Sequence, residues 1–265
     1  MAGLQQTTYQ GLSNNTRADF NRSDLETLIS QKGREVVLER SLQCPCKGKS
    51  TNQQSNCKNC GGTGWIFINP RSTRMVLQGM NITPDYKAWS EELKGDLKVT
   101  ASDTEEITFM DRITVMDAKA LFNEVLFFKT RGANTFAFTS YYIKEIKYVG
   151  YFKGTDQPLQ KLVEGVDYTF TKNVVKIINP AIIPVQGEIS VTIRYVHAPQ
   201  YLMIDMKRES METYVIEGTE KMVHLPISGT ARRQHYILGA PNLNGDNILS
   251  NNYEEVAVIA SNQNC

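Results

Sequence analysis

Four of the five cysteines fall between residues 44 and 60, as Cys44-Pro45-Cys46 and, ten residues later, Cys57-Lys58-Asn59-Cys60. Gly61-Gly62-Thr63-Gly64-Trp65 follows at once. Two cysteine pairs facing each other across a short polar loop meet the needs of a tetrahedral thiolate site. Each pair is a tight turn that aims two sulfurs at one ion, and the loop lets the second pair close the tetrahedron. The glycines behind the second pair let backbone amides fold back towards the sulfurs and offset their negative charge. One residue separates the first pair where two or more are usual, which is the departure from a regular knuckle. The spacing therefore predicts a four-cysteine zinc knuckle with Cys44, Cys46, Cys57 and Cys60 as ligands. With all four positions used and none left for water, the zinc is expected to be structural, helping to fold a segment too polar to fold alone. The rival chemistries for the same residues are one or two disulfides, or free thiols.

The fifth cysteine, Cys265, stands apart, and an odd count with four clustered favours a reducing compartment over a disulfide framework. A chain of 265 residues can bury one substantial core with a small satellite module. Apolar and charged fractions of 41% and 22% are those of an ordinary globular protein, and a net charge of +1 advertises neither nucleic acid nor an acidic membrane. No basic–apolar–small leader and no apolar run approaching ~20 residues is present, so neither export nor a membrane span is expected.

Along the chain, residues 1–22 are polar without a period and read as a flexible N-terminal arm. Ser23-Asp24-Leu25-Glu26 has capping-box spacing, and a short helix is expected from 24 to about 32, with Gly33 supplying a left-handed stop. Val36–Ser41 and Gly64–Asn69 read as strands on either side of the cysteine loop, making it the tip of a hairpin that Pro70 closes. Arg74–Leu77 is another strand candidate, and residues 84–92 a short helix.

From residue 96 the pattern turns to strands. Leu97, Val99 and Ala101 alternate with polar neighbours, and 111–117 is a further candidate. The stretch 120–129 fits helix or strand, while 141–152 is apolar on both faces, as in a central strand. Val166, Tyr168 and Phe170 alternate into a Lys172-Asn173 turn and Val174–Ile178, a hairpin. Ile189, Val191, Ile193 and Tyr195 alternate again, and Tyr201–Met206 follows. The fold class expected is mainly β, a barrel or sandwich core with a short N-terminal helix and the cysteine hairpin. The segmentation expected is an arm (1–22), helix plus knuckle hairpin (23–70), core (71–210) and a C-terminal extension (211–265). Within the extension, 242–252 reads as a polar loop and 256–260 as a last strand.

Little in the chain resembles catalytic machinery, and no enzymatic activity is expected. His197, His224 and His235 are scattered and outside any metal or nucleophile motif. The Gly61–Gly64 run follows a metal pair rather than opening a phosphate loop. Asp111 and Asp117, on one face of a strand, would stand ~20 Å apart, too far for an acid/base pair. Arg232-Arg233 beside His235, and Lys207-Arg208, are the tight basic clusters; they read as interface or solvated residues, since a phosphate-binding surface needs many such charges on one face.

The succession CPC…CKNCGGTGWIFINP, TRMVLQGM, GDLKVTA, MDRITVMD, VEGVDYTF and SVTIRYVHAPQYLMIDMKRES, over about residues 36–236, resembles structural proteins of the neck of tailed bacteriophages. These are head–tail connectors, head-completion or stopper proteins, and ring proteins of short tails. The resemblance implies a β-barrel subunit repeated in a homo-oligomeric ring below the portal. That ring would join capsid and tail in the virion, contact portal and other neck or tail proteins, and assemble in the host cytoplasm. Packaged DNA would pass through its lumen without specific binding, and no membrane would be involved. No catalytic residue carries over; only the four cysteines do, as presumed zinc ligands. Terminal segments 1–22 and 237–265 would suit subunit clamps in such a closed, head-to-tail ring.

Two other readings stand beside it. A zinc-ribbon nucleic-acid-binding or transcription-associated protein would use basic and aromatic residues near the cysteines, here Lys47, Lys49, Lys58 and Trp65. CKNCGGTG is also similar to one repeat of the zinc region in J-domain co-chaperones, a region that carries several such repeats where this chain has one.

Overall fold

A computed structural model describes residues 22–47, 57, 59–79, 95–131, 134–152, 158–182, 189–208, 213–215 and 222–239. The arm 1–21, the helix expected at 84–92, the loop at 242–252, the strand at 256–260, and Lys49 and Lys58 lie outside them.

The chain opens with helix α1 (Arg22–Lys32) and continues into strands β1 (Arg34–Gln43), β2 (Trp65–Gly79), β3 (Asp96–Ala101) and β4 (Arg112–Val115). Seven strands follow: β5 (Ala120–Arg131), β6 (Asn134–Phe138), β7 (Glu145–Tyr151), β8 (Gln160–Lys161), β9 (Tyr168–Thr171), β10 (Val174–Ile177) and β11 (Ile189–His197). The last elements are β12 (Gln200–Arg208), β13 (Thr213–Val215), β14 (Met222–His224), β15 (Ile227–Arg233) and a one-turn helix α2 (Gln234–Ile237). The mainly β class with one short N-terminal helix holds.

Six strands close into a barrel in the order β1-β2-β3-β15-β12-β4. Alternation explains its filling: Val36 and Leu38 on β1, Leu97, Val99 and Ala101 on β3, and Ile113 and Val115 on β4 point inward with Met75, Met203 and Ile227. The interior is a packed core, as expected of a small barrel. The segmentation read from sequence divides differently, because β1 and β2 of the hairpin are barrel staves and β15, in the expected extension, is another.

Strands β5–β11 form a second, seven-stranded sheet, ordered β8-β7-β11-β5-β6-β10-β9. It is inserted between two neighbouring staves. Thr114 on β4 pairs with Gln200 on β12, and beyond the connections 116–119 and 198–199, Ala120 of β5 pairs with His197 of β11. The insertion thus leaves and re-enters the barrel through two short connections lying side by side. Its core gathers Phe128, Val149, Val175, Val191, Ile193 and Tyr195. The loop before β7 returns to the barrel wall, where Tyr142 packs on Val37 and Met116, and the Lys144 ammonium donates to the Met116 and Ala118 carbonyls.

Three local expectations are corrected. Pro70 does not close a strand, because β2 runs through it to Gly79. Arg71 pairs with Leu38 and Ile68 with Arg40, so Asn69 and Pro70 together oppose Glu39 in a bulge. There the missing proline N–H interrupts no ladder bond, and Asn69 takes a left-handed φ of 51°. Gly33 ends α1 without a left-handed φ; its value is close approach, since a Cβ there would meet the Ile29 carbonyl oxygen at 2.2 Å. The stretch 141–152 is not one central strand: 139–144 is a connecting turn, and β7 has only the two-residue β8 on its outer side. The ambiguous 120–129 resolves as strand β5, and the Lys172-Asn173 hairpin is present, with Thr171 opposite Val174.

Candidate metal centre

β1 and β2 extend past the barrel's last ladder with β4, which ends at Glu39, and carry the cysteine loop beyond it. The loop over residues 102–111 braces this extension. Asp111, buried, accepts from the Ser41 amide (2.7 Å) and the Thr108 amide (2.8 Å), and the Ser41 hydroxyl donates to the Phe109 carbonyl. Glu105 takes the Thr73 hydroxyl at 2.6 Å and pairs with Arg71, while Trp65 meets Phe109 edge-on. Below the brace, Arg112 on β4 makes a buried two-pronged pair with its cross-strand neighbour Glu39 (2.6 and 2.7 Å), its guanidinium 4.2 Å above the Phe67 ring.

On this support all four cysteines converge. Their sulfurs lie within 4.8 Å of one another, with Cys44 to Cys57 at 3.7 Å and Cys46 to Cys60 at 3.5 Å. All four are free thiols. A tetrahedron with metal–sulfur bonds of ~2.3 Å has edges of about 3.8 Å, so these spacings fit one thiolate-bound ion. The short first pair works because its spacer is proline, which opens a 3₁₀ turn over Pro45–Lys47 and brings Cys46 round beside Cys44.

The second pair behaves as the glycine run implies. Gly61, Gly62 and Gly64 all have positive φ (59°, 87° and 76°), a path that only glycine takes freely. Along it the Gly61 amide donates to the Cys57 carbonyl and the Gly64 amide to the Cys60 sulfur at 3.3 Å, while the Gly64 carbonyl accepts from the Cys44 amide. Amides of Cys60 and Asn59 aimed at the Cys57 sulfur bring that thiol down to about 7 against the pull of burial. Without an ion the opposite holds for the first pair: burial raises Cys44, and Cys46 is pushed up to about 12, chiefly by its hydrogen bond to Cys44 and then by burial. Metal binding would therefore have to expel protons from Cys44 and Cys46.

The remaining candidates fall elsewhere. Asp111 braces the hairpin and Asp117 faces Arg34 at 3.9 Å, so the two share no site. His197 is buried and stacked on Tyr141 with ring centres 4.0 Å apart; His235 lies against Tyr236 and Phe122; His224 is exposed on β14. Arg232 is held by Asp96 in a two-pronged pair, and Arg233 lies over the Tyr201 ring. At the barrel end away from the cysteines, a cleft of about 570 Å³ opens between Arg34, Arg233, Tyr201 and Tyr236. Sequence reading missed the Glu39–Arg112 pair: both are charged residues on strands, and only the fold shows them to be opposite one another. No helix among the described residues is long and apolar enough to cross a membrane. No family model matches this chain, and no curated protein is similar to it.

Proposed function

We propose that this protein is a structural virion component that forms a ring in the neck or tail of a tailed phage, joins portal and capsid to the tail, and surrounds the DNA exit channel. The observation that carries the reading is where the resembling segments fall. WIFINP and TRMVLQG share stave β2, GDLKVTA forms β3, RITV of MDRITVMD forms β4 and QYLMIDMKR forms β12, all of one barrel, while VEGVDYTF and SVTIRYVH contribute β9 and β11 to the sheet inserted in it. The barrel interior is filled by side chains, so the channel is the lumen of the ring, not of the subunit. The cysteine cluster holds a structural zinc that fixes the tip of the β1–β2 extension, a rigid projection suited to meeting a neighbouring protein. The subunit performs no chemistry, and its partners are copies of itself, the portal and other neck or tail proteins.

Negative-stain imaging of the purified protein, alone and with its portal, tests the reading, with metal content measured on the same sample. Rings or stacked tubes, or decoration of the portal, with about one zinc per chain are expected. A small species that ignores the portal and shifts labelled DNA in a salt-dependent way would overturn it in favour of a zinc-ribbon nucleic-acid-binding protein.

A further inference from the structure

The inserted sheet has one face packed and one bare. Leu121, Val125 and Phe127 on β5 are half or more exposed, at 50%, 50% and 59%. The ladders extend this stripe sideways. Phe136 pairs with Lys129 and with Lys176, and Val174 pairs with Phe138, which puts both partly buried phenylalanines, edge-on to each other at 5.6 Å, on the face of Phe127. Six apolar side chains over three adjacent strands are more than the scattered apolar residues normal on a surface. Cations flank the stripe on both sides. Arg194 on β11 stands opposite Asn123, Lys176 lies beyond Phe136, both are exposed, and neither has an ion-pair partner among the described residues.

We infer that this face is covered by the chain's own segment Tyr253–Ala260, docked in cis. Three observations select that occupant. The segment carries Val256-Ala257-Val258-Ile259-Ala260, an uninterrupted apolar run in a tail otherwise dominated by Asn and other polar residues. Glu254 and Glu255 precede the run directly and complement Arg194 and Lys176. The path also allows it. The described chain leaves at Gly239, just after α2, whose His235 ring lies 5.8 Å from Phe122 on the packed side of β5, so the tail has to pass round the sheet to reach Leu121 on the other face. Residues 240–252 can span ~40 Å when extended, twice the ~20 Å that β5 covers between Leu121 and Phe127. Docking in cis requires no ring, so it stands or falls independently of assembly.

Hydrogen exchange of the full-length, zinc-loaded protein tests this, at two concentrations tenfold apart. Amides of 253–260 should exchange at least tenfold more slowly than in the isolated peptide, equally at both concentrations. In the Val125→Asp/Phe127→Asp variant that protection should vanish, and in Glu254→Lys/Glu255→Lys it should drop several-fold. The β5 variant alters exposed side chains, and an unchanged thermal transition and zinc content in both variants would show the fold intact. A segment that exchanges like free peptide, or whose protection survives the β5 substitutions, overturns the inference. Protection that grows with concentration also overturns it, because the segment then comes from a second copy. So does protection in residues 1–21 that the β5 substitutions remove while 253–260 stays free.

Discussion

At the scale of single residues, two buried groups dominate what the fold tolerates. His197 donates from Nδ1 to the Ala198 carbonyl at 2.8 Å, and its buried Nε2 has no partner among the described residues to accept a second proton's hydrogen bond. Burial, opposed by the Ala198 bond and reinforced by Arg233, brings its pKa from 6.5 down to about 4. Between those values the unfolded chain binds a proton that the folded chain refuses, so stability falls on acidification across that window, by roughly 3 kcal/mol in full. His235, lowered by burial and by Arg233, acts in the same direction. Denaturant titrations from pH 7 to 4 should show this loss, and His197→Gln should flatten the slope by nearly one proton; an unchanged slope would mean His197 is charged when folded. The second group is the Glu39–Arg112 pair, whose side chains are only 1% and 2% exposed. Removing Glu39 leaves the buried Arg112 charge without its carboxylate, so Glu39→Ala should destabilise by about 3–5 kcal/mol, whereas Glu39→Leu with Arg112→Met should recover most of it. A double-mutant cycle by equilibrium unfolding measures the difference.

At the scale of elements, the β1–β2 extension divides into a part that strand pairing holds and a part that the cysteines hold. Val36–Leu38 is clamped on both sides, by β2 and by β4, but from Arg40 onward β1 has only β2 and the 102–111 brace. Cys57→Ser with Cys60→Ser should therefore open the tip over 40–69 to protease while leaving the barrel's transition in place; a tip as resistant as wild type would show that metal is dispensable there. This part of the molecule was largely legible in advance, because ligand identity, the glycine run and the flanking strands are all local signals. Gly64 reaching back to the Cys60 sulfur is the amide return that the glycines implied. Period-2 alternation likewise located β3, β9, β10 and β11, since it reports which residues share a face. It does not report which strands are neighbours. That β4 pairs with β12 across the whole insertion, or that β15 closes the barrel beside β3, depends on contacts between residues far apart in sequence. Pro70 misled for a related reason: a proline cannot donate to a ladder, but it can occupy a bulge, and the bulge is defined by Glu39 on the opposite strand.

At the scale of the whole molecule, the question is whether barrel, inserted sheet and cysteine tip unfold together. The barrel and sheet are joined by the short connections 116–119 and 198–199 between the β4–β12 and β5–β11 ladders, and Tyr142 and Lys144 latch the sheet's connecting turn to the barrel wall. The cysteine tip lies outside the two main cores, and its nearest apolar neighbours, Trp65, Phe67 and Met110, form a small cluster with Leu202 of stave β12 and with Ile237 and Leu238. Two cores joined by two short adjacent connections and a side-chain latch should melt as one unit, whereas a metal-dependent tip projecting past the β1–β4 ladder should melt alone. Chelation with a strong zinc ligand should then raise exchange and protease cleavage within 40–69, leave the melting transition of barrel and sheet within a few degrees, and be reversed by adding zinc. Tyr142→Ala, which empties a buried aromatic site at the junction, should instead lower that single transition by about 3–5 kcal/mol at unchanged metal content. If chelation unfolded the entire chain, the cysteine cluster would be part of the folding core; if Tyr142→Ala split the transition in two, barrel and sheet would be independent units held by the latch alone.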